Sequence, residues 1–189
     1  MPRPPRAREP LKQAALRRFV EYGIHATGIR DIAKDAGCSE AALYRHWPNK
    51  EQLVGQLFQE HLESVVTLMR DHLGGPGDLA SRVRAGCQAL YTLYDEQPMV
   101  FRFVLLVQHE VAHYLPKDLD MPQDVLIEVF SKAAAEGETD GDPVLLSAAC
   151  IGIFLQTATY VIYKRLDPPL IRYVDSVSAH ALCLLRPSS

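Results

Sequence analysis

The chain has 189 residues, 48% apolar and 23% charged, which is enough to bury a sizeable core and excludes a disordered or low-complexity polymer. Net charge is −3 and names no partner by itself. Residues 1–60 carry ten Lys/Arg against seven Asp/Glu, whereas residues 61–189 carry ten against sixteen, so the basic part is N-terminal. Cys38, Cys87, Cys150 and Cys183 lie far apart with no C-x-x-C pair, the pattern of reduced thiols in a cytoplasmic protein. The opening "MPRPPRARE" has arginines but no apolar run behind them. It reads as a basic tail, either solvated or touching DNA, and not as a targeting peptide.

Apolar residues recur at helical spacing almost throughout, with no convincing alternating strand. Leu11, Ala15, Phe19 and Tyr22 form one stripe and Gly23 follows where a C-cap is wanted, predicting a helix over 9–22. Thr27 is placed to N-cap a short helix carrying Ile29, Ile32 and Ala33, and Ser39 to cap a second, "EAALYRHW", which Pro48 ends. Asn49 then caps a long helix that runs to "GGPG" at 74–77, the best linker signal in the chain. Further helices are expected at about 78–95, 98–114, 122–136, 143–165 and 169–185. The expectation is therefore an all-α protein of about nine helices.

Two short helices around a glycine-containing turn, with a third packed on them, is the arrangement of a helix-turn-helix DNA reader. In the second of them Leu43 and Trp47 can face the core, leaving Ala41, Ala42, Tyr44, Arg45 and His46 around the rest. Small residues near its start let the backbone approach base edges, and the polar ones suit phosphates. Lys50, in the first turn of the next helix, is badly placed for the helix dipole but well placed for a phosphate.

The stretch "TGIRDIAKDAGCSEAALYRHWPNKEQLVGQLF" resembles the DNA-binding domain of TetR-type transcriptional regulators, with the match extending over about 9–57. The resemblance implies that Leu43 and Trp47 are core, that Tyr44, His46 and Lys50 contact phosphate, and that Arg30 with residues 40–42 reads bases. Thr27 and Ser39 join the expected DNA-binding set, and Arg45 faces either phosphate or solvent. Cys38 and Trp47 stand where the family usually has valine and phenylalanine. Glu40 departs further, because a carboxylate near a duplex is repulsive unless it accepts from a cytosine amino group or merely favours the helix N-terminus.

A helix of this size reads few base pairs, so selectivity requires two copies on a pseudo-palindromic double-stranded operator. With the resemblance, this implies a homodimeric, cytoplasmic, ligand-released repressor. Its DNA-binding domain would be 1–57 and its helical ligand-binding and dimerisation domain 58–189. "VLLSAACIGIFLQTATYVIY" (144–163) is uncharged and long enough to cross a membrane. Its polar and small residues suit instead a helix packed on its own domain and on a partner. In the resembling family the last two helices of each subunit form the interface. Ile153, Tyr160, Val174, Val177 and Leu184 are the candidates here, each contributing on the order of 1.5–3 kcal/mol if fully buried.

"QHEVAH" (108–113) contains H-E-x-x-H, in which His109 and His113 on one helix face can hold zinc while Glu110 acts as base. A hydrolase needs a third ligand, and Pro116 and Leu119 stand where the extended form of the motif requires glycine and histidine. The alternatives are a hydrolase, an adventitious or regulatory metal site, or histidines that line a pocket or hydrogen-bond between domains, of which the last is expected. No enzyme activity, cofactor or metal is therefore anticipated. Tyr91, Tyr94, Phe101, Leu105, His109, His113 and Phe154 are the candidate lining of an effector pocket, with plain core as the alternative for the aromatics. The effector itself is unreadable from the sequence.

Overall fold

The structure is a computed structural model that describes residues 7–111 and 119–185, with side chains except for 105–110. Among the described residues it is all helical. The elements are α1 (Arg8–Tyr22), α2 (Ile29–Asp35), α3 (Glu40–Tyr44), α4 (Lys50–Leu73), α5 (Leu79–Glu96), α6 (Pro98–Val111), α7 (Pro122–Ala135), α8 (Pro143–Ile162) and α9 (Val174–Leu185). A 3-10 turn, Leu170–Tyr173, precedes α9. The continuous helix expected over 169–185 is therefore divided. The last part of the helix expected over 98–114 lies outside the described residues.

Two compact units emerge, Met1–Leu62 with Pro98–Leu119, and Glu63–Gln97 with Asp120–Ser189. In the first, α1 packs on α2 and α6, and α2 on α3. Leu11, Phe19, Ile32, Leu43, Trp47, Leu53 and Phe58 make its core. Phe103 of α6 is fully buried there, its ring centroid 6.2 Å from that of Phe19, 6.1 Å from that of Phe58 and 6.2 Å from that of His61. The Phe19 ring is stacked and the other two are edge-on, and aromatic contacts at such separations add to the area they bury. α6 is thus part of the unit that carries the two short helices.

In the second unit α8 packs on α7 and α9, and α9 on α5. Gly86 lets α5 approach Leu73, since a Cβ there would meet the leucine Cδ2 at 2.6 Å. Arg82 and Glu138, 2.5 Å apart, tie the start of α5 to the segment after α7. Asp95 accepts from the amides of Leu170 and Ile171 at 2.7 and 2.8 Å, satisfying donors that the 3-10 turn leaves open. Tyr91 is buried, its hydroxyl donating to the Phe154 carbonyl at 3.1 Å and its ring edge-on to Phe154.

α8 is the one helix among the described residues long and apolar enough to span a membrane. One side of it, with Leu146, Ser147, Cys150, Phe154, Ala158 and Val161, is buried in its own unit. Val144, Leu145, Tyr160 and Tyr163 are exposed, Leu145 at 70% and Tyr160 at 46%. The expected interface set divides accordingly. Leu184 is exposed and Ile153 half-buried, but Val174 and Val177 are only 4% and 5% exposed. They are corrected to the inner face of α9, since side chains already in the protomer's core have no surface to offer a partner.

Candidate nucleic-acid interface

Caps and turns fix the two short helices. Gly23 ends α1 at φ +85°, its amide donating to the Phe19 carbonyl at 3.0 Å. Gly37 turns the chain after α2 at φ +64°, a conformation glycine adopts without steric cost. Ser39 caps α3 by accepting from the Ala42 amide at 3.2 Å, and Asn49 caps α4 by accepting from Gln52 at 2.8 Å. The α3 helix, Glu40–Tyr44, is shorter than expected. The amides of His46 and Trp47 both return to the Leu43 carbonyl, at 2.9 and 3.0 Å.

Thr27 is not an N-cap, a position held by Gly28. It is 1% exposed, and its hydroxyl contacts the Gly23 carbonyl at 2.8 Å and the Arg18 carbonyl at 3.3 Å. Its place in the expected DNA-contact set is therefore corrected: a hydroxyl already bonded inside the fold shapes the α1–α2 loop. Lys50 differs as well, since its ammonium donates to the carbonyls of Ile24 at 2.9 Å and Thr27 at 3.1 Å instead of standing free.

Leu43 and Trp47 are buried, as is Ala42, whereas Glu40, Ala41, Tyr44 and Arg45 point outward, with Tyr44 50% exposed. His46 is half-buried, its ring tilted against Trp47 at 5.4 Å. Arg30 of α2 and Ser39 are exposed. Residues 40, 41, 44 and 45 lie on one side of α3, as helical spacing requires, and so form a surface with an anion, a methyl, a phenol and a guanidinium.

Several ties that hold this surface left no sequence signal. Arg18 grips Asp35 with two hydrogen bonds, 2.6 and 3.0 Å, fixing α2 on α1. The guanidinium holds the Asp35 carboxyl below the usual carboxylate range. Trp47 Nε1 donates to Gln56 at 2.7 Å, and Gln56 to Glu60 at 2.9 Å. Glu60 also pairs with Lys12, and with Arg8 at 3.6 Å. Burial works against the charge on Glu60, yet its bonds to Lys12 and Gln56 outweigh it and lower the pKa. Arg8 in turn lies over the Trp47 ring at 5.9 Å. Partners 9 and 17 residues apart on different segments follow no local periodicity.

Among the described residues, Arg17, Arg30, Lys34 and Arg45 form no ion pair within 4.0 Å, and no group of three His, Cys, Asp or Glu is placed to hold a metal. The side chains of Leu105, His109 and Glu110, and all of His113, lie outside the description. Of the remaining candidate pocket residues, Tyr91, Tyr94 and Phe154 are buried in the second unit and Phe101 in the first.

A helix-turn-helix with a solvent-facing second helix is the arrangement found in all-helical DNA-reading proteins. Residues 11–57 match the family model for bacterial regulatory proteins of the tetR family. The transcriptional activator FasR of Mycolicibacterium smegmatis is 28% identical over 123 residues, 63% of this chain and 56% of that protein. The repressor KstR2 of the same species is 38% identical over 60 residues, 32% of this chain and 29% of the relative. The chain thus spans about half the length of the first of these relatives and under a third of the second. FadR of Bacillus subtilis, crystallised with stearoyl-CoA, superposes with a TM-score of 0.78 at 17% identity, covering 94% of this chain and 99% of that one. The chain is thus similar to TetR-type regulators over residues 11–57.

Proposed function

We propose that the protein is a sequence-specific regulator of transcription that binds a pseudo-palindromic operator as a homodimer. The single observation that carries this reading is the outer face of α3, where Glu40, Ala41, Tyr44 and Arg45 stand free of the core on a helix capped and clamped from beneath. Ala41 is the point of close approach to base edges, Arg30 and Glu40 flank it, and Tyr44, Arg45 and His46 take phosphates. Ser39 fixes the start of α3. Glu40 accepts from a cytosine amino group or favours the helix N-terminus, and the selected operator decides between them.

The functional division we assign is 1–57 for DNA binding and 58–189 for effector binding and dimerisation, in a cytoplasmic protein without enzymatic activity. A second copy covers the outer apolar side of α8 with Leu184 of α9, so that Ile153, Tyr160 and Leu184 meet their equivalents. This reading needs no membrane, because the inner side of α8 is already engaged in its own unit. An effector held by the second part favours the form that cannot span the operator, and so releases it, by no more than its differential affinity for the two forms. Stearoyl-CoA is the first effector to try, since a protein of this fold was crystallised with it. Repression is the expected sign, although relatives of both signs exist.

The test is enrichment of duplexes from a random pool, followed by fluorescence anisotropy on the enriched sequence and on random DNA. The reading expects an inverted repeat bound at least a thousandfold more tightly than random DNA. Equal affinity for both would refute it.

A further inference from the structure

Lys50 opens α4, where a cation opposes the helix dipole. What offsets this is visible in its contacts. Its ammonium reaches back across the helix-turn-helix to the carbonyls of Ile24 and Thr27, at 2.9 and 3.1 Å. These belong to the loop that leads from α1 into α2. Thr27 closes the same loop from inside, through its hydroxyl on the carbonyls of Gly23 and Arg18. Lys50 thus engages two carbonyls of the loop and Thr27, at its shorter contact, a third, and hydrogen bonds from a charged donor are the stronger kind.

We propose that Lys50 is a positioning residue for operator recognition: it ties the first turn of α4 to the α1–α2 loop and so sets where α2 and α3 stand, instead of serving as a phosphate contact. The proposal rests on the DNA-binding reading given above. Two of the three ammonium donors are spent on backbone carbonyls, and the side chain is half-buried. Losing the tie loosens the entry to α2, the helix that carries Arg30 and that Arg18 clamps through Asp35. The consequence is a less well-placed reading face on an otherwise folded domain.

Three roles for Lys50 separate in one experiment, anisotropy titrations of wild type and Lys50→Met on operator and on random duplex across a salt series. A positioning role predicts a loss of about ten- to a hundredfold on operator, little change on random DNA, and an unchanged slope of log affinity against log salt. A phosphate contact predicts equal losses on both duplexes and, for two copies in a dimer, a slope smaller by nearly two. A purely structural role predicts lower thermal stability with wild-type affinity in the folded fraction. Either of the last two results overturns the proposal.

Should circular dichroism show Lys50→Met unfolded, Lys50→Gln, which keeps a neutral donor, takes its place. A wild-type slope with partly restored operator preference supports the tie, whereas a slope reduced by nearly two, or no loss of operator preference, overturns it. Wild-type protein that prefers no duplex would defeat the DNA-binding reading itself, a result distinct from any of these.

Discussion

Two helices present an uncovered side to solvent, and the chemistry of those sides is opposite. α3 with its C-cap Arg45 shows a carboxylate, a methyl, a phenol and a guanidinium, while α8 with its C-cap Tyr163 shows Val144, Leu145, Tyr160 and that tyrosine. A polar, cation-bearing side on a five-residue helix has too little area to hold a protein partner but suits a polyanion whose grooves admit a helix. An apolar side on a helix of 20 residues loses free energy in water at about 25 cal/mol per Å² and is suited to a second copy of itself. The difference shows that exposure alone identifies no partner. What is exposed does.

The sharpest way to break this contrast is Gly152→Arg. A Cβ at Gly152 meets nothing within 4 Å, and replacing glycine inside a helix favours the helix by up to about 1 kcal/mol. The variant should therefore fold as wild type yet sediment as a monomer. Its operator affinity should fall by on the order of a thousandfold, because a single half-site carries little selectivity. A stable Gly152→Arg dimer would move the interface away from this side of α8.

Next in size is Phe103→Ala. Removing a ring packed among Phe19, Phe58 and His61 should destabilise the first unit by about 3–5 kcal/mol, measured by chemical denaturation. The second unit's own core should be untouched, so the two unfolding transitions should draw apart. Arg30→Ala should cost about 1–3 kcal/mol on operator and relax preference at one position of each half-site, with stability unchanged. A uniform loss on all sequences would make Arg30 a phosphate contact.

The smallest effect concerns pH. Burial, and then the nearby Lys12 cation, lower the His61 pKa from its ordinary value of 6.5. With the folded value below the unfolded one, the neutral ring's stability is fully present above about pH 6.5 and is lost as pH falls below it. Thermal melts should therefore decline from pH 7 to pH 5, and His61→Phe should flatten that part of the decline. The carboxylates Asp35 and Glu60, whose values are also lowered, lose their share only in stronger acid.

Much of the helix-turn-helix was legible in the sequence because its signals are local. Ser39 and Asn49 cap the helices they precede, Gly23 takes the positive φ that its place demands, and Leu43 and Trp47 face inward as their spacing requires. Thr27 misled as an N-cap, and the contacts of Lys50 were not foreseen, because a side chain that suits a cap or a phosphate suits a loop carbonyl equally well. Only the folded loop brings the carbonyls of Gly23, Ile24 and Thr27 within reach. Val174 and Val177 misled for a related reason. Periodicity marks the apolar side of α9, but whether α5 or another subunit covers it depends on a packing that the 3.6-residue repeat does not encode.

The central claim is that the outer side of α3 enters a DNA groove. It is tested most directly by comparing the duplexes that wild type and Ala41→Arg enrich from the same random pool. The account predicts an inverted repeat for both, with half-sites separated by about one helical turn, 10–10.5 base pairs, and a changed base preference within each half-site for the variant. Enrichment of the same sequence by both proteins, or of no sequence by wild type, would contradict it.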